Sequence, residues 1–337
     1  MKPKNYPILR WCKLIIIKAK RAVAILLILL GVFQLQAQTI QMVYTSDAHF
    51  GITRANFQGA PSVNAQVVNA AMISKMNTLS TLTLPADGGV KSGTTVGGID
   101  YVVMTGDIAN RSETGIQSAA ASWTQFNSTY INGITLQSNS GQNAKLFLLP
   151  GNHDVSNAIG YYKTLTPKKD STVMRNIYNM MMPTPAPGGN YNYANEKIHY
   201  SKNIGGIHFM FVCMWPDSAE RVWMQNDLST VPSTMPVFLF THDQPLVESK
   251  HLTNPNGTHN INSTDKFENL VLERFKDGNA ISFPSTMEQL GFASFLQSHP
   301  NIVAYFHGND NQNNYYLYKG PENNLGLHVY PQEGVSI

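Results

Sequence analysis

Apolar runs that are typical of β-strands recur along this chain, and five of them lead directly into short loops of Gly, Asn, Asp and His. In open α/β sheets such loops follow the carboxyl ends of the strands, where ligands bind. The pattern therefore predicts that all five loops lie along one edge of a sheet. These loops are Thr45–His49, Thr105–Asp107, Pro150–Asp154, Thr241–Asp243 and His307–Asn311.

Strand and helix patterns alternate through the first half of the chain. Ile40–Thr45, Ile99–Thr105 and Ala144–Leu149 are strand-like, whereas Ser62–Leu79 and Gln117–Tyr130 have apolar residues at helical spacing. Further strand-like runs predict a second sheet packed on the first. We predict an α/β fold, a four-layer α/β/β/α sandwich of two packed mixed sheets. The later strands are expected at Gly206–Met214, Pro236–Phe240, Asn301–Phe306, Tyr315–Tyr318 and Leu325–Tyr330, and the later helices at Ala219–Leu228, Phe267–Phe275 and Thr286–Gln297.

The first 37 residues have the composition of a secretory signal peptide. Basic residues without acidic ones precede the apolar run Ala22–Phe33, and the small residue Ala37 suits a cleavage site. We predict a signal peptide at 1–37, export to the periplasm or the medium, and a single domain at 38–337. The alternative is an uncleaved N-terminal membrane anchor. After cleavage, no membrane span is expected.

The charge of the chain depends strongly on this N-terminal segment. Seven of the 24 Lys and Arg residues and none of the 21 acidic residues precede residue 38, so the remainder carries a net charge of −4. A mildly acidic chain without basic runs predicts no nucleic-acid partner. Cys213 lies in an apolar run, so we expect a buried side chain and not a reactive thiol.

Residues 157–202 form a long stretch without periodicity that is rich in Tyr, Asn, Pro and Met. We predict a loop insertion in the domain at this point. Beside a functional site, a stretch of this length is more often a lid or a specificity loop than a connecting loop without a function. The alternative interpretation is a surface excursion.

The five loops carry carboxylate, imidazole and amide groups, which are ligands for divalent cations. Asp47 and His49 are two residues apart, so on an extended strand end their side chains point the same way and can hold one cation. The two oxygens of Asp107 suit a bridge between two cations, and Asn152 and His242 can bind the second. We therefore predict a dinuclear metal site at the C-terminal ends of the strands.

In their order, these motifs resemble those of the calcineurin-like metallophosphoesterases, whose pattern is Asp-x-His, Gly-Asp, Gly-Asn-His-Asp/Glu, a lone His and Gly-His-x-His. The resemblance spans residues 40–312, although outside the motifs it is only an order of strands. It implies two divalent metal ions, with Asp47 and His49 on the first, Asp107 bridging, and Asn152 and His242 on the second. It also implies hydrolysis of a small-molecule phosphate ester.

The same resemblance implies catalytic roles for three further residues. His153 takes the place of the family's catalytic imidazole, Asp154 the neighbouring acidic position, and Arg111 that of a phosphate-contacting arginine of some branches. Two cations would lower the pKa of a bound water until hydroxide forms near neutral pH and attacks phosphorus in line. His153 would then protonate the departing oxygen as general acid.

The final motif departs from the family pattern. It reads Gly308-Asn309-Asp310-Asn311, so Asn stands where both imidazoles are expected. If Asn309 and Asn311 bind the ions through amide oxygens, the site favours Mn²⁺ or Mg²⁺, with Fe²⁺ or Zn²⁺ as the other candidates. In a second interpretation His307 turns inward, because it shares strand parity with Asn309. A single-metal or inactive site is the third.

We expect an exported metal-dependent phosphoesterase that acts on a phosphomonoester or a phosphodiester. The alternative is a non-catalytic or single-metal exported binding protein for a phosphorylated or glycan ligand. The tyrosines of Tyr191–Tyr200 and Tyr315–Tyr318 could stack on sugars or nucleosides. We prefer to interpret them as ordinary loop and edge-strand aromatics.

Overall fold

The computed structural model describes residues 39–110, 117–155, 170–187, 191–192, 195–246, 286–310 and 313–332. Within these ranges, three strands form the smaller of the two main sheets. They are β1 (Met42–Thr45), β4 (Tyr101–Met104) and β5 (Lys145–Leu148), in the order β1-β4-β5. Most of their apolar side chains are partly or fully buried, as expected for parallel strands. Between β1 and β4, β2 (Thr53–Phe57) and β3 (Ala60–Asn64) form a separate hairpin.

Six described strands form the larger sheet, in which parallel and antiparallel pairs are mixed. They are β6 (His199–Ile204), β7 (Ile207–Val212), β8 (Val237–Phe240), β9 (Ile302–His307), β10 (Tyr316–Tyr318) and β11 (Leu327–Pro331). Their order is β10-β11-β9-β8-β7-β6, and only the two outer pairs are antiparallel. Because β8 and β9 run parallel, the loops that follow them leave the same edge of the sheet.

Within the described ranges, six α-helices connect or flank these strands. Three of them begin at a polar side chain that accepts backbone N–H groups: Asn64 accepts from Val67, Ser118 from Ala121, and Asp217 from Ala219 and Glu220. The helices are α1 (Ala65–Met76), α2 (Ala119–Phe126), α3 (Asn152–Val155), α4 (Thr172–Met181), α5 (Ser218–Leu228) and α6 (Thr286–Ser298).

Two hydrophobic clusters show how the sheets and helices pack. The first joins both sheets, and within it the rings of Phe147 on β5 and Phe211 on β7 are 5.1 Å apart between centroids. The second contains Met210 of β7 together with Met224 of α5 and Phe292 of α6. Because successive side chains of a strand point to opposite faces, the larger sheet packs on the smaller sheet with one face and on α5 and α6 with the other.

The α/β class with both parallel and antiparallel strands is confirmed, whereas the exact four-layer order stays a prediction. The expectation that both sheets are mixed is wrong for the smaller one, whose described strands pair only in parallel. Parallel neighbours require long crossover connections. The segments that carry α1 and α2 supply these connections between β1 and β4 and between β4 and β5.

The stretch 157–202 is not simply the loop insertion that was predicted, because it contains α4 and most of β6. Val173, Met174 and Ile177 of α4 are buried, and β6 pairs with β7 along its whole length. Two of the described tyrosines in this stretch belong to the core, since Tyr191 and Tyr200 are each 6% exposed. The many Asn and Tyr residues concealed a helical spacing that was present in the sequence.

Some predictions lie outside the described residues. These are the signal peptide at 1–37 and the helix at Phe267–Phe275. The described residues from Ile40 onward belong to one compact unit. Among the helices in the described part of the chain, none is both long and apolar enough to cross a bilayer. Cys213 is fully buried in the core, as predicted.

Candidate metal centre

The loops after β1 and β4 run side by side beyond the ends of their strands. The backbone N–H groups of Asp47 and His49 donate to the carbonyl oxygens of Gly106 and Asp107 at 2.9 and 2.8 Å. In the larger sheet, the N–H of Gly308 donates to the carbonyl oxygen of His242 at 2.9 Å. These bonds continue the parallel pairing past the strands and align the predicted site loops.

Several predicted site residues lie in the left-handed region of backbone conformation. The φ angles are 56° at Asp47, 45° at His49, 51° at Asp107 and 68° at Asn309. This conformation costs about 1–3 kcal/mol at a non-glycine residue and persists where the surroundings impose it, which happens most often at functional sites. Here it turns the chain sharply at the end of each strand.

Two groups of three side chains have donor atoms close enough to hold a metal ion. One group is Asp47, Asp107 and His242, the other is His49, Asp107 and His153, and the donor atoms of each lie within 4.8 Å of one another. Asp107 Oδ1 is 3.5 Å from His242 Nε2, and Asp107 Oδ2 is 3.6 Å from His49 Nε2 and 3.8 Å from His153 Nε2. The donor set therefore fits a pair of cations that share Asp107.

The main chain orients the imidazole of His242. Its Nδ1 is 2.8 Å from the carbonyl oxygen of Thr105, and because a carbonyl only accepts, Nδ1 carries the proton. The opposite nitrogen, Nε2, faces Asn152 Oδ1 at 3.0 Å and the Asp107 carboxylate. Because His242 Nε2, Asn152 Oδ1 and the Asp107 carboxylate all carry lone pairs, a proton or a metal ion is needed between them.

The pKa values of the buried groups indicate the same preference for positive charge. Burial disfavours the charged form of His242, but the Asp107 carboxylate outweighs it and raises the pKa of His242 to about 10. Burial also opposes charge on His49, whose pKa is nevertheless raised by its bond with Asp47 and by Asp107. Burial alone would raise the pKa of Asp107, but the imidazoles around it lower that pKa well below the usual range. A field that holds protons on buried imidazoles also favours metal cations.

The grouping of the donors differs from the pairing expected from the sequence. The sequence pairs Asp47 with His49, whereas the compact donor groups combine Asp47 with His242 and His49 with His153. His49 Nε2 is nevertheless also 3.6 Å from Asp47 Oδ1. Asn152 lies on the His242 side, as expected. Which donors bind which ion stays a prediction.

Asp154 joins the loop after β5 to the loop after β4. Its two carboxylate oxygens accept the backbone N–H groups of Ile108 at 3.1 Å, Ala109 at 2.9 Å and Gly151 at 2.9 Å. Burial, assisted by the charge of Asp107, raises the pKa of Asp154. These contacts identify Asp154 as a positioning residue, and they do not support the catalytic role expected from the resemblance.

Replacing the Asp154 carboxylate with an amide is expected to destabilise the fold. Asp154→Asn leaves a single acceptor oxygen for three donors, so at least one buried N–H loses its partner and the free energy of unfolding falls by about 1–3 kcal/mol. Urea denaturation measures this loss. The control is Asp87→Asn, because Asp87 is exposed and accepts only the N–H of Gly89. Equal stability losses in the two variants would contradict the assignment.

Two glycines are required where the loops touch. A Cβ atom at Gly151 would lie 2.2 Å from Asp107 Oδ1, and one at Gly308 would lie 2.0 Å from Ser46 Oγ and 2.2 Å from Asp47 Oδ2. Both distances are far below van der Waals contact. Glycine at these positions therefore allows the backbone to approach the carboxylates of Asp47 and Asp107.

Gly308→Ala is expected to displace Asp47, because the added methyl group overlaps its carboxylate. We expect a loss of about 1–3 kcal/mol in the free energy of unfolding, together with weaker metal retention during dialysis. The control is Gly326→Ala, since a Cβ atom at Gly326 meets no atom within 4 Å. If both variants retain metal equally, the contact between Gly308 and Asp47 does not shape the site.

The final motif contacts the candidate metal centre through the backbone of Asn309. The N–H of Asn309 donates to the Asp47 carboxylate at 3.1 Å, and the Asn309 side-chain amide donates to Gln244 Oε1 at 3.1 Å. His307 belongs to neither donor group: its Nδ1 is 2.7 Å from the Gly308 carbonyl oxygen and its Nε2 is 3.4 Å from the Tyr316 hydroxyl. Burial lowers the pKa of His307 to about 4, so it is neutral. These contacts do not support the interpretation in which His307 turns inward to bind an ion.

Two of the predicted site residues lie outside the described part of the chain. They are Arg111, the predicted phosphate contact, and Asn311, the second amide of the final motif. Their roles stay predictions.

Sequence reasoning missed the residue that supports the first metal-binding loop. Asn69 of α1 is fully buried, its amide donates to the carbonyl oxygen of Ala48 at 2.8 Å, and it accepts the hydroxyl of Tyr130 at 2.8 Å. These bonds fix the backbone between Asp47 and His49. A polar residue within an otherwise apolar helical run was the available signal, because a buried amide needs partners.

Comparison with known proteins gives one family and several similar structures. The calcineurin-like phosphoesterase family model matches residues 45–324. No match was found among curated proteins. The chain is similar to a dimetal phosphatase from Danio rerio, with 9% identity, 88% of each chain covered and a TM-score of 0.50.

Two further solved structures are similar at lower scores. A phosphopantetheinyl hydrolase from Mycobacterium tuberculosis has 12% identity, with 88% of this chain and 91% of that chain covered and a TM-score of 0.37. A putative 5'-nucleotidase from Staphylococcus aureus has 11% identity, with 88% and 48% covered and a TM-score of 0.41. At such identities the structural likeness concerns the fold alone.

The residues matched by the family model include the candidate metal centre. The matched residues 45–324 include every strand end that carries a predicted metal ligand. Because the model also covers well over half of the sequence, the chain belongs to the calcineurin-like phosphoesterase family.

Proposed function

We propose that this protein is an exported phosphoesterase that uses two divalent metal ions to hydrolyse a phosphomonoester or a phosphodiester. The observation that carries the proposal is the position of Asp107, whose two oxygens belong to two separate donor groups. A buried carboxylate shared in this way suits a bridge between neighbouring ions. Family membership supports the reaction class.

We assign metal binding to the side chains of Asp47, His49, Asp107, Asn152 and His242. The side-chain amides of Asn309 and Asn311 complete the site. When bound, two such metal ions neutralise charge on the phosphate and activate a water molecule for attack. His153 has the most exposed side chain of the three site imidazoles, at 13% against 6% for His49 and 0% for His242. A substrate can therefore approach on the side of His153, which supports its assignment as proton donor to the leaving group.

The composition of the donor set supports Mn²⁺ or Mg²⁺. Two carboxylates and three amides supply oxygen atoms, whereas His49 and His242 are the only imidazoles among the assigned ligands. Oxygen-rich sites suit harder cations than imidazole-rich sites do. Fe²⁺ and Zn²⁺ are the other candidates.

We also propose that residues 1–37 direct export and are removed. The basic lead, the apolar run Ala22–Phe33 and the small residue Ala37 support this step. N-terminal sequencing of the protein from the cell envelope and the medium tests it. Retention of residues 1–37 would instead indicate an N-terminal anchor.

Metal content and turnover test the catalytic proposal together. Purified protein reconstituted with Mn²⁺ should contain about two ions per chain and should hydrolyse p-nitrophenyl phosphate or its bis-ester. Each of Mg²⁺, Fe²⁺ and Zn²⁺ is tested in the same way after removal of metal with a chelator. A protein that binds metal but shows no turnover with any of the four is not an enzyme of this kind. A protein that binds no metal but does bind a phosphorylated or glycan ligand supports the alternative of a non-catalytic binding protein.

A further inference from the structure

A cavity of about 480 Å³ lies in the segment between α4 and β6, apart from the residues assigned to the metal centre. Its lining includes Tyr178 of α4, two prolines of the following turn, and Tyr191 and Glu196. A volume of this size is within the usual range for small-molecule sites. The cavity lies within the stretch 157–202, for which the sequence left open a lid or specificity loop and a surface excursion.

Glu196 places a negative charge at this cavity. The residue is 7% exposed, and one of its carboxylate oxygens accepts the backbone N–H of Asn192. Among the described residues, no group bonds to its other carboxylate oxygen, and no Lys or Arg lines the cavity. A buried carboxylate without a balancing positive charge is costly, so this one favours a cationic partner.

Two tyrosine rings form aromatic walls of the same cavity. The rings of Tyr178 and Tyr191 are 5.8 Å apart between centroids with an angle of 70° between their planes, so they present surfaces in two directions. The face of an aromatic ring attracts cations, and the attraction increases when the cation is shielded from water. Pro185 and Pro187 add apolar surface that suits alkyl groups.

We propose that this cavity binds a small organic ammonium ion, with Glu196 as its counter-ion and the rings of Tyr178 and Tyr191 as its walls. An anionic ligand is disfavoured because the described lining residues include a carboxylate and no Lys or Arg. A neutral sugar would use the rings but would leave the charge of Glu196 unbalanced. The proposal concerns binding and does not depend on phosphoesterase activity.

Isothermal titration of the purified protein with choline tests the charge requirement directly. The matched ligand is 3,3-dimethylbutan-1-ol, which has the same shape with carbon in place of the charged nitrogen. We expect choline to bind at least about tenfold more tightly than this alcohol, a difference of ~1.4 kcal/mol. Equal binding of the two ligands, stronger binding of glucose, or no binding of choline would overturn the proposal.

Variants test the assigned residues. Glu196→Gln keeps an acceptor for the Asn192 N–H but removes the charge, and Tyr178→Leu removes one ring and keeps Glu196. Each should weaken choline binding by about tenfold or more, while thermal unfolding shows that the protein remains folded. Glu322→Gln is the control, since Glu322 is an exposed acid before β11. Unchanged choline binding in folded Glu196→Gln, or an equal loss in Glu322→Gln, would show that Glu196 is not the counter-ion.

Discussion

Asp107→Asn is expected to abolish the dinuclear site. The bound metal should fall from about two ions per chain to less than one, and kcat/KM should fall by about a thousandfold or more, because the bridging charge is lost while the side-chain shape is kept. The wild-type carboxylate lies within 3.8 Å of the Nε2 atoms of His49, His153 and His242, so it is the group that the two candidate donor sets share. Elemental analysis after dialysis and steady-state kinetics measure the two effects.

Asp100→Asn is the matched control for this substitution. Asp100 precedes β4 as Asp107 follows it, and its carboxylate accepts the backbone N–H of Gln41 at 2.9 Å. This variant changes the same functional group at the opposite end of the strand and should keep both metal ions and turnover. If Asp107→Asn also retains two ions and wild-type kinetics, the centre does not depend on a bridging carboxylate.

His153→Gln is expected to lower kcat by about 10²–10⁴-fold through the loss of a general acid. His153 is the second residue of α3, and its backbone N–H donates to Asp107 Oδ1 at 2.9 Å. The centroid of its ring lies 5.0 Å from the centroid of the His49 ring. The loss should be largest for alkyl phosphates, whose leaving groups need protonation, and smallest for p-nitrophenyl phosphate. Comparison of kcat for the two substrates measures this difference.

Metal content separates the two roles that the geometry allows for His153. As general acid, His153 can be replaced without loss of bound metal, and the effect depends on the leaving group. As a ligand in the group with His49 and Asp107, its replacement removes metal and lowers turnover equally for all substrates. His299→Gln, in which the altered side chain contacts only its own helix end, is the control for the substitution itself.

Much of the metal centre could be predicted because its chemistry is local in the sequence. Each loop follows an apolar strand, and parallel strands bring their carboxyl ends to one edge whatever the details of packing. The order of the five loops was therefore sufficient to predict that Asp47, Asp107, Asn152 and His242 converge. Their backbone bonds and donor distances confirm this convergence.

Two errors about local structure have identifiable causes. The helix expected from Ser62 begins at Ala65, because Ala60–Asn64 pairs with β2 and Asn64 then caps the helix. In α4, the buried Val173, Met174 and Ile177 follow helical spacing, but the surrounding Asn, Pro and Tyr residues suggested a loop. Strand pairing and burial decided both cases, and neither can be read from a single window of sequence.

The sequence by itself determined the family, the α/β class and which loops carry candidate ligands, because these depend on residue types at strand ends. Only the tertiary structure decided that Asp154 positions two loops, that His307 belongs to neither candidate donor group, and that Glu196 lines the same cavity as Tyr178 and Tyr191. The bond from Ala109 to Asp154 joins residues 45 positions apart. Such contacts form only when separate segments pack together, and no local pattern encodes which of many polar side chains will meet.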